Sequence, residues 1–290
     1  MSLATLVDVL VVVMPLLYAA LVTLYAIAFF ANAPAIERWK TPFLLGTVLC
    51  HLFYSGVRTV AFDHPPITTV FEIMTMLAAC IAIAYAYIEL RTKAVLSAER
   101  SPQEAGQAAN TGFFILLLAF IFQTVSSLSI KDLTELQPIL RSRLLGFHVS
   151  AALLGYTAIS LSAVYGFLYL MLYHEIKSSR FGVIYTRLPS LEILEKMSSR
   201  AEVFGFAMLS VAIIVGLVWL PRAFEEFSYW DPKLIGTLAI WVLYAMSLTA
   251  KRTFGWQGRK TMIVSLIAFA FVFLSMTVIN VYLSGFHSFY

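Results

Sequence analysis

Eight long apolar runs constrain the fold of this chain more than any other feature of its sequence. They cover residues 7–30, 42–62, 68–90, 112–128, 144–173, 203–220, 234–248 and 262–283. A helix needs about 20 apolar residues to cross the roughly 30 Å hydrocarbon core of a bilayer, and only 234–248 needs flanking residues to approach that length. A membrane-spanning β-strand needs only about ten residues of alternating polarity, so the length of these runs predicts helices.

The composition also favours a membrane-embedded chain. Of its 290 residues 60% are apolar and 12% are charged, and the mean hydropathy is +0.85. Soluble domains average about 45–50% apolar and about 25% charged residues. A net charge of +4 and two cysteines argue against a nucleic-acid reader and a disulfide-stapled secreted scaffold. We therefore predict an all-α polytopic membrane protein, a bundle of eight transmembrane helices that forms one domain over 1–290.

The basic residues predict how the helices are oriented. If the N-terminus lies outside, the inner loops hold 14 of the 20 lysine and arginine residues and the outer segments hold six. Cytoplasmic loops carry an excess of lysine and arginine. Both termini are therefore expected on the outer side.

Three of the five histidines fall at or beyond the predicted outer boundary: His64, His148 near the outer end of the fifth span, and His287 just beyond the eighth. Two imidazoles from different helices at one face have three interpretations. They could bind a transition metal directly, although such sites usually recruit carboxylates or thiolates. They could ligate haem iron axially, where the porphyrin supplies the other ligands. Each could instead be a hydrogen-bonded interfacial histidine.

The segment 221–233, between the sixth and seventh spans, offers a surface that would suit a porphyrin. Aromatic residues and cations lie in or next to it: Trp219, Phe224, Phe227, Tyr229, Trp230, Arg222 and Lys233. Aromatic rings would pack against the macrocycle and the cations would pair with its propionates. The alternative is an interfacial aromatic belt, which many membrane proteins carry.

A second polar group lies inside the membrane. His51 is near the middle of the second span, and Arg58 follows two turns later on the same helix face. Together they suggest a ligand with a metal centre and acidic groups, whereas a neutral hydrogen-bonded His51 and an Arg58–Glu72 ion pair are the structural alternatives. A solute or ion relay through His51, Arg58 and Glu72 is a third interpretation.

Four short motifs together resemble the cytochrome c assembly superfamily, whose branches include CcsA, ResC, CcmC and HemX. They are HVSAALLGY at 148–156, YWDPK at 229–233, GWQGR at 255–259 and LSGFHSFY at 283–290. The stretch from His51 to Glu72 resembles the family's N-terminal part. The resemblance therefore runs from about position 51 to the end of the chain, with order, spacing and sidedness in agreement.

The resemblance implies haem binding and presentation at the outer face for c-type cytochrome biogenesis. His148 and His287 match the two axial ligands of haem b, held as a transient ligand or cargo. His51 with Arg58 matches a histidine site inside the membrane. The expected porphyrin contacts and propionate partners are Phe227, Tyr229, Trp230, Arg222 and Lys233.

The resemblance also implies partners and a location. Haem would pass to an apocytochrome c, with the help of a ResB- or CcsB-like membrane chain, in a bacterial cytoplasmic membrane. The chain would then be the membrane haem-handling subunit of a holocytochrome c synthase. We assign no catalytic nucleophile or base, because thioether formation belongs to the cofactor and the substrate thiols.

Several positions depart from the family pattern. The 221–233 loop lacks two of the three usual tryptophans, Leu234 replaces an acidic residue, and Thr249 stands where a second membrane-embedded histidine is expected. These losses are typical of the HemX-like branch. The alternative function is therefore a membrane regulator of the glutamyl-tRNA reductase level in haem synthesis, acting through the inner segment 175–200.

Overall fold

The computed structural model describes residues 2–31, 33–98, 109–131, 142–223 and 230–275, and every regular element within these ranges is helical. The helices are α1 (Leu3–Ala31), α2 (Pro34–Phe62), α3 (Val70–Ala98), α4 (Gly112–Ser129), α5 (Arg143–Lys177), the short α6 (Val183–Arg187), α7 (Leu191–Ala223), α8 (Pro232–Thr253) and α9 (Arg259–Leu274). A 3₁₀ turn, Ala109–Thr111, precedes α4.

Seven of these helices, α1 to α5, α7 and α8, are long and apolar enough to cross a membrane. The chain is thus a polytopic helical membrane protein, as the apolar runs predict. The eighth predicted span, 262–283, overlaps α9, and its last part lies outside the described residues. The orientation and the single domain over 1–290 remain predictions.

The helices extend beyond the apolar runs at several ends. α2 begins at Pro34 rather than at position 42, and α7 begins at Leu191 rather than at 203. Hydropathy marks only the part of a helix that crosses hydrocarbon, whereas polar turns continue the helix into the headgroup region. The short run 234–248 does gain flanking residues, because α8 has 22 residues.

The chain divides into two compact units. The first contains α1 to α4, the end of α5 and α6; α1 packs there against both α2 and α4. The second contains most of α5 with nearly all of α7 and the whole of α8 and α9. His51, Arg58 and Glu72 belong to the first unit, whereas His148 and Lys233 belong to the second.

A buried ion pair joins α2 and α3 in the first unit. The Nε and Nη2 atoms of Arg58 each donate to Glu72 Oε1 at 3.2 Å, and both side chains are fully buried. Nη2 also donates to the Lys131 carbonyl oxygen at 3.0 Å. The guanidinium lies 4.8 Å from the centre of the Phe62 ring. The ion pair is the structural alternative that the sequence left open for Arg58.

Removing one member of this pair is expected to destabilise the protein strongly. A buried charge without its partner costs about 3–5 kcal/mol, so Glu72→Ala should lower the free energy of unfolding by that amount. Glu192 is an exposed carboxylate at the start of α7, and Glu192→Ala should change it by less than about 0.5 kcal/mol. Chemical denaturation in detergent measures both, and equal effects would contradict the structural role.

Candidate functional site

His148 lies just over one turn into α5 and is half-buried. Its Nδ1 atom is 2.8 Å from the main-chain carbonyl oxygen of Ala212 on α7. A carbonyl oxygen only accepts, so Nδ1 carries a hydrogen and donates it. In the neutral ring Nε2 then holds a lone pair, and no described residue hydrogen-bonds to it. This is the arrangement of a metal-ligating histidine, whose second nitrogen is held by a carbonyl or carboxylate.

Glycines at the α5–α7 contact bring this imidazole to its acceptor. A Cβ atom on Gly155 would lie 2.8 Å from Leu209 Cδ2, and one on Gly205 would lie 2.7 Å from Ile159 Cγ1. Neither distance is possible for a larger residue without a shift, so the two helices depend on glycine to approach this closely. Nearer the end of α7, a Cβ on Gly216 would lie 3.0 Å from both Cε1 and Nδ1 of His148. Gly216 therefore leaves the space that the ring occupies.

The YWDPK motif forms the start of α8. Asp231 precedes the helix and its side chain accepts a hydrogen bond from the Lys233 amide at 2.8 Å, while Pro232 occupies the first turn. Both residue types are favoured at these positions because they suit the unpaired first amides of a helix. Trp230, just before the cap, is 83% exposed.

The start of α8 brings one predicted cation near the predicted ligand. The Lys233 ammonium lies within electrostatic range of the His148 imidazole. Its Nζ atom is 3.5 Å from the Ser275 carbonyl oxygen. His148 and Lys233, two of the residues singled out from the sequence, thus lie in the same unit and interact electrostatically.

Several predicted site residues lie outside the described part of the chain. They are Phe227, Tyr229, His287 and the side chain of Arg222. Of the predicted loop 221–233, the first three residues end α7 and the last two begin α8. The meeting of His148 and His287 at one haem therefore stays a prediction.

His51 has a different environment, because it is fully buried and both of its ring nitrogens are hydrogen-bonded. Nδ1 is 2.9 Å from the Tyr18 hydroxyl of α1 and Nε2 is 3.1 Å from Thr75 Oγ1 of α3. Arg58, two turns along α2, is engaged by Glu72 instead. His51 and Arg58 thus share a helix face, but their hydrogen bonds among the described residues go to different groups.

The structure also shows the environment of His64 and of Thr249. His64 is buried, and its Nδ1 atom is 3.0 Å from the Pro65 carbonyl oxygen. Thr249, where the family pattern has a second embedded histidine, lies on an exposed face of α8.

Sequence reasoning missed Ala212, Gly216, Tyr18 and Thr75. Ala212 acts through its main-chain carbonyl, which leaves no signal in the side-chain pattern. Gly216 had a usable signal, since a glycine within an apolar span often marks a close helix contact. The hydroxyls of Tyr18 and Thr75 lie in apolar runs, where their pairing with His51 depends on the packing of three helices.

Most of the chain matches a known protein family. Residues 68–287 match the family described as cytochrome C assembly protein. The chain belongs to the cytochrome c assembly protein family. Three of the relatives that are named cytochrome c biogenesis protein CcsA show the extent of the similarity. The protein from Guillardia theta is 27% identical over 81% of this chain and 79% of its own length. The protein from Pyropia yezoensis is 25% identical over 94% of this chain and 93% of its own length. The protein from Prochlorococcus marinus (strain NATL1A) is 26% identical over 91% of this chain and 89% of its own length.

The extent of the family match bears on the two histidine sites. It includes His148, Trp230 and Lys233, and it ends on His287. It begins after His51 and Arg58. The family match therefore includes the predicted residues around His148, whereas positions 51 and 58 are covered only by the longer alignments with the relatives, which take in 94% and 91% of the chain.

The helix cap at Asp231 gives a direct test of how this family motif works. Asp231→Ala should lower the free energy of unfolding by about 0.5–2 kcal/mol, because the first amides of α8 lose their acceptor. Asp231→Asn should preserve most of the stability, since its carboxamide oxygen also accepts. The stabilities of the two variants are compared by thermal unfolding in detergent. An Asn variant as unstable as the Ala variant would show that Asp231 acts through its charge rather than as a cap.

Proposed function

We propose that this protein takes part in c-type cytochrome biogenesis by binding haem b, as a transient ligand or cargo, at the outer end of α5. The observation that carries the proposal is the orientation of His148: Nδ1 is held by the Ala212 carbonyl, and no described residue hydrogen-bonds to Nε2. His148 and His287 are the proposed axial ligands. The relatives named for cytochrome c biogenesis support the pathway.

The donor set around His148 suits haem iron better than a bare metal ion. Among the described residues no group of three or more His, Cys, Asp and Glu side chains is placed to hold a metal. A porphyrin supplies four nitrogen ligands itself, so the protein needs only one imidazole on each side of the ring. Among the described residues, His148 is an imidazole of this kind, because its Nδ1 atom is held by the Ala212 carbonyl and its Nε2 atom has no described hydrogen-bond partner.

We assign the rest of the haem molecule to the residues around the start of α8. Trp230, which is exposed there, is the proposed indole face for the macrocycle, and we assign Phe227 and Tyr229 to the same surface. Lys233 is the proposed partner of a propionate, because its ammonium lies in electrostatic range of His148; Arg222 is the proposed second cation. An aromatic shell of this kind excludes water and helps to set the potential of the iron.

The proposed task of the chain is to hold and present haem. Bound haem supplies the vinyl groups to which the two cysteine thiols of an apocytochrome c add. We also propose, as the resemblance implies, that a separate ResB- or CcsB-like membrane chain handles the apocytochrome, and that both chains reside in a bacterial cytoplasmic membrane.

Loss of the imidazole of either proposed ligand, His148 or His287, should abolish the haem spectrum. Protein purified after expression with ample haem should show the Soret and α/β bands of bis-imidazole haem, and His148→Ala or His287→Ala should lose them. His174, exposed at the opposite end of α5, provides a matched control: His174→Ala should keep the spectrum. Absence of the bands in the wild type, or their survival in the His148→Ala, His287→Ala double variant, would overturn the proposal.

The space left by Gly216 should determine how well haem binds. Gly216→Ala pushes a methyl group against the His148 ring and disturbs its bond to Ala212, so haem affinity should fall by about 10–100-fold. Haem titration followed by absorbance gives the affinity. Gly146→Ala is the matched control on α5, because a Cβ there meets nothing within 4 Å. Equal affinities for the two variants would contradict the assigned geometry.

A further inference from the structure

His51 lies in a chain of hydrogen bonds that links α1, α2, α3 and α4 of the first unit. Tyr18, His51, Thr75 and Gln123 are all buried, with at most 1% of each residue exposed. The chain continues from Gln123 Nε2 to Ser127 Oγ at 3.0 Å. Every link between these side chains is 3.1 Å or shorter.

The direction of this chain fixes the state of both ring nitrogens. Thr75 Oγ1 donates to Gln123 Oε1 at 2.7 Å, so its single hydrogen is used there and the oxygen accepts from His51 Nε2. Nε2 therefore carries a hydrogen, and Nδ1 accepts from the Tyr18 hydroxyl at 2.9 Å. Neither nitrogen of this neutral ring has a lone pair left for iron.

Two aromatic rings of the described helices also pack against the His51 imidazole. The Tyr18 ring meets the imidazole edge-on with 5.7 Å between centroids, and the Tyr54 ring lies 6.0 Å from it. Iron could approach Nδ1 only by displacing Tyr18, or Nε2 only by displacing Thr75. Each displaced hydroxyl would be left without its partner in a membrane interior, where an unpaired polar group is costly.

The other groups that a membrane-embedded haem would need are committed elsewhere or face outward. Arg58, the nearest candidate for a propionate on α2, is engaged by Glu72 and the Lys131 carbonyl. Thr249 has no imidazole and lies on an exposed face.

From these contacts we infer that His51 is a structural hydrogen-bonding hub and not an iron ligand, so that this chain binds one haem, at His148. The inference rests on the proposed function for the location of that haem. It departs from the resemblance, which implies a second haem site inside the membrane. Haem would then reach His148 by a route that does not include ligation by His51.

The number of haems per chain tests this inference. Full-length wild-type, His51→Gln and His148→Ala proteins are saturated with haem in detergent, and haem per chain is measured by the pyridine haemochrome assay. Wild type and His51→Gln should both bind one haem with the same Soret maximum, and His148→Ala should bind none. A wild-type ratio of two that falls to one in His51→Gln would overturn the inference and leave the proposed function standing. A single haem lost only in His51→Gln would overturn both.

The hub is also testable without haem, which separates the two proposals. Thr75→Val should lower the midpoint of thermal unfolding of the apoprotein, because His51 and Gln123 each lose a partner. The same substitution at exposed Thr249 provides the control and should leave the midpoint unchanged. A Thr75→Val midpoint equal to that of Thr249→Val would overturn the role of His51 as a hub. In the haem experiment, a wild type that binds no haem at all would overturn the proposed function and the assignment of one haem to His148.

Discussion

The requirement that polar groups in a bilayer find partners within the protein governs this structure. Glu89 of α3 is fully buried and is bonded by Tyr25 at 2.5 Å, by Thr41 and by Lys93. The Arg58–Glu72 pair follows the same rule near the other end of α3. At His148 only one ring nitrogen has a partner within the described protein: Nδ1 donates to the Ala212 carbonyl, and no described residue hydrogen-bonds to Nε2. An imidazole with one nitrogen held by a carbonyl and the other without a described hydrogen-bond partner is the arrangement that the proposed function requires of an iron ligand.

Close packing of α5 and α7 makes that arrangement possible. The contact at Gly155 and Gly205 lies two turns from the contact of His148 with Ala212, so the approach of the backbones at one level sets the hydrogen bond at the next. Without a hydrophobic driving force between helices, small residues that permit such approach are a main source of association in membranes. Close helix packing and the orientation of the His148 ring are thus one feature of the second unit.

The sequence predicts the transmembrane helices well because the length of an apolar run reports hydrocarbon thickness directly. It predicts helix ends poorly, as at Pro34 and Leu191, because polar turns outside the hydrocarbon carry no hydropathy signal. The pairing of Arg58 with Glu72 was available as an alternative, since charge complementarity is visible in a sequence. The acceptor for His148 was not, because a main-chain carbonyl is the same at every residue and only the fold selects Ala212.

His51 and His148 show how the surroundings of a histidine set the number of its ring nitrogens that are hydrogen-bonded. Each is in a helix of a membrane protein and each is hydrogen-bonded, yet the number of nitrogens engaged differs: two at His51 and one at His148. Position in a span or resemblance to a family does not distinguish the two cases. The distinction comes from the neighbouring helices, which place two hydroxyls around one ring and a single carbonyl beside the other. The two hydroxyls at His51 thus belong to the packing of the first unit, whereas in the second unit no described residue hydrogen-bonds to Nε2 of His148.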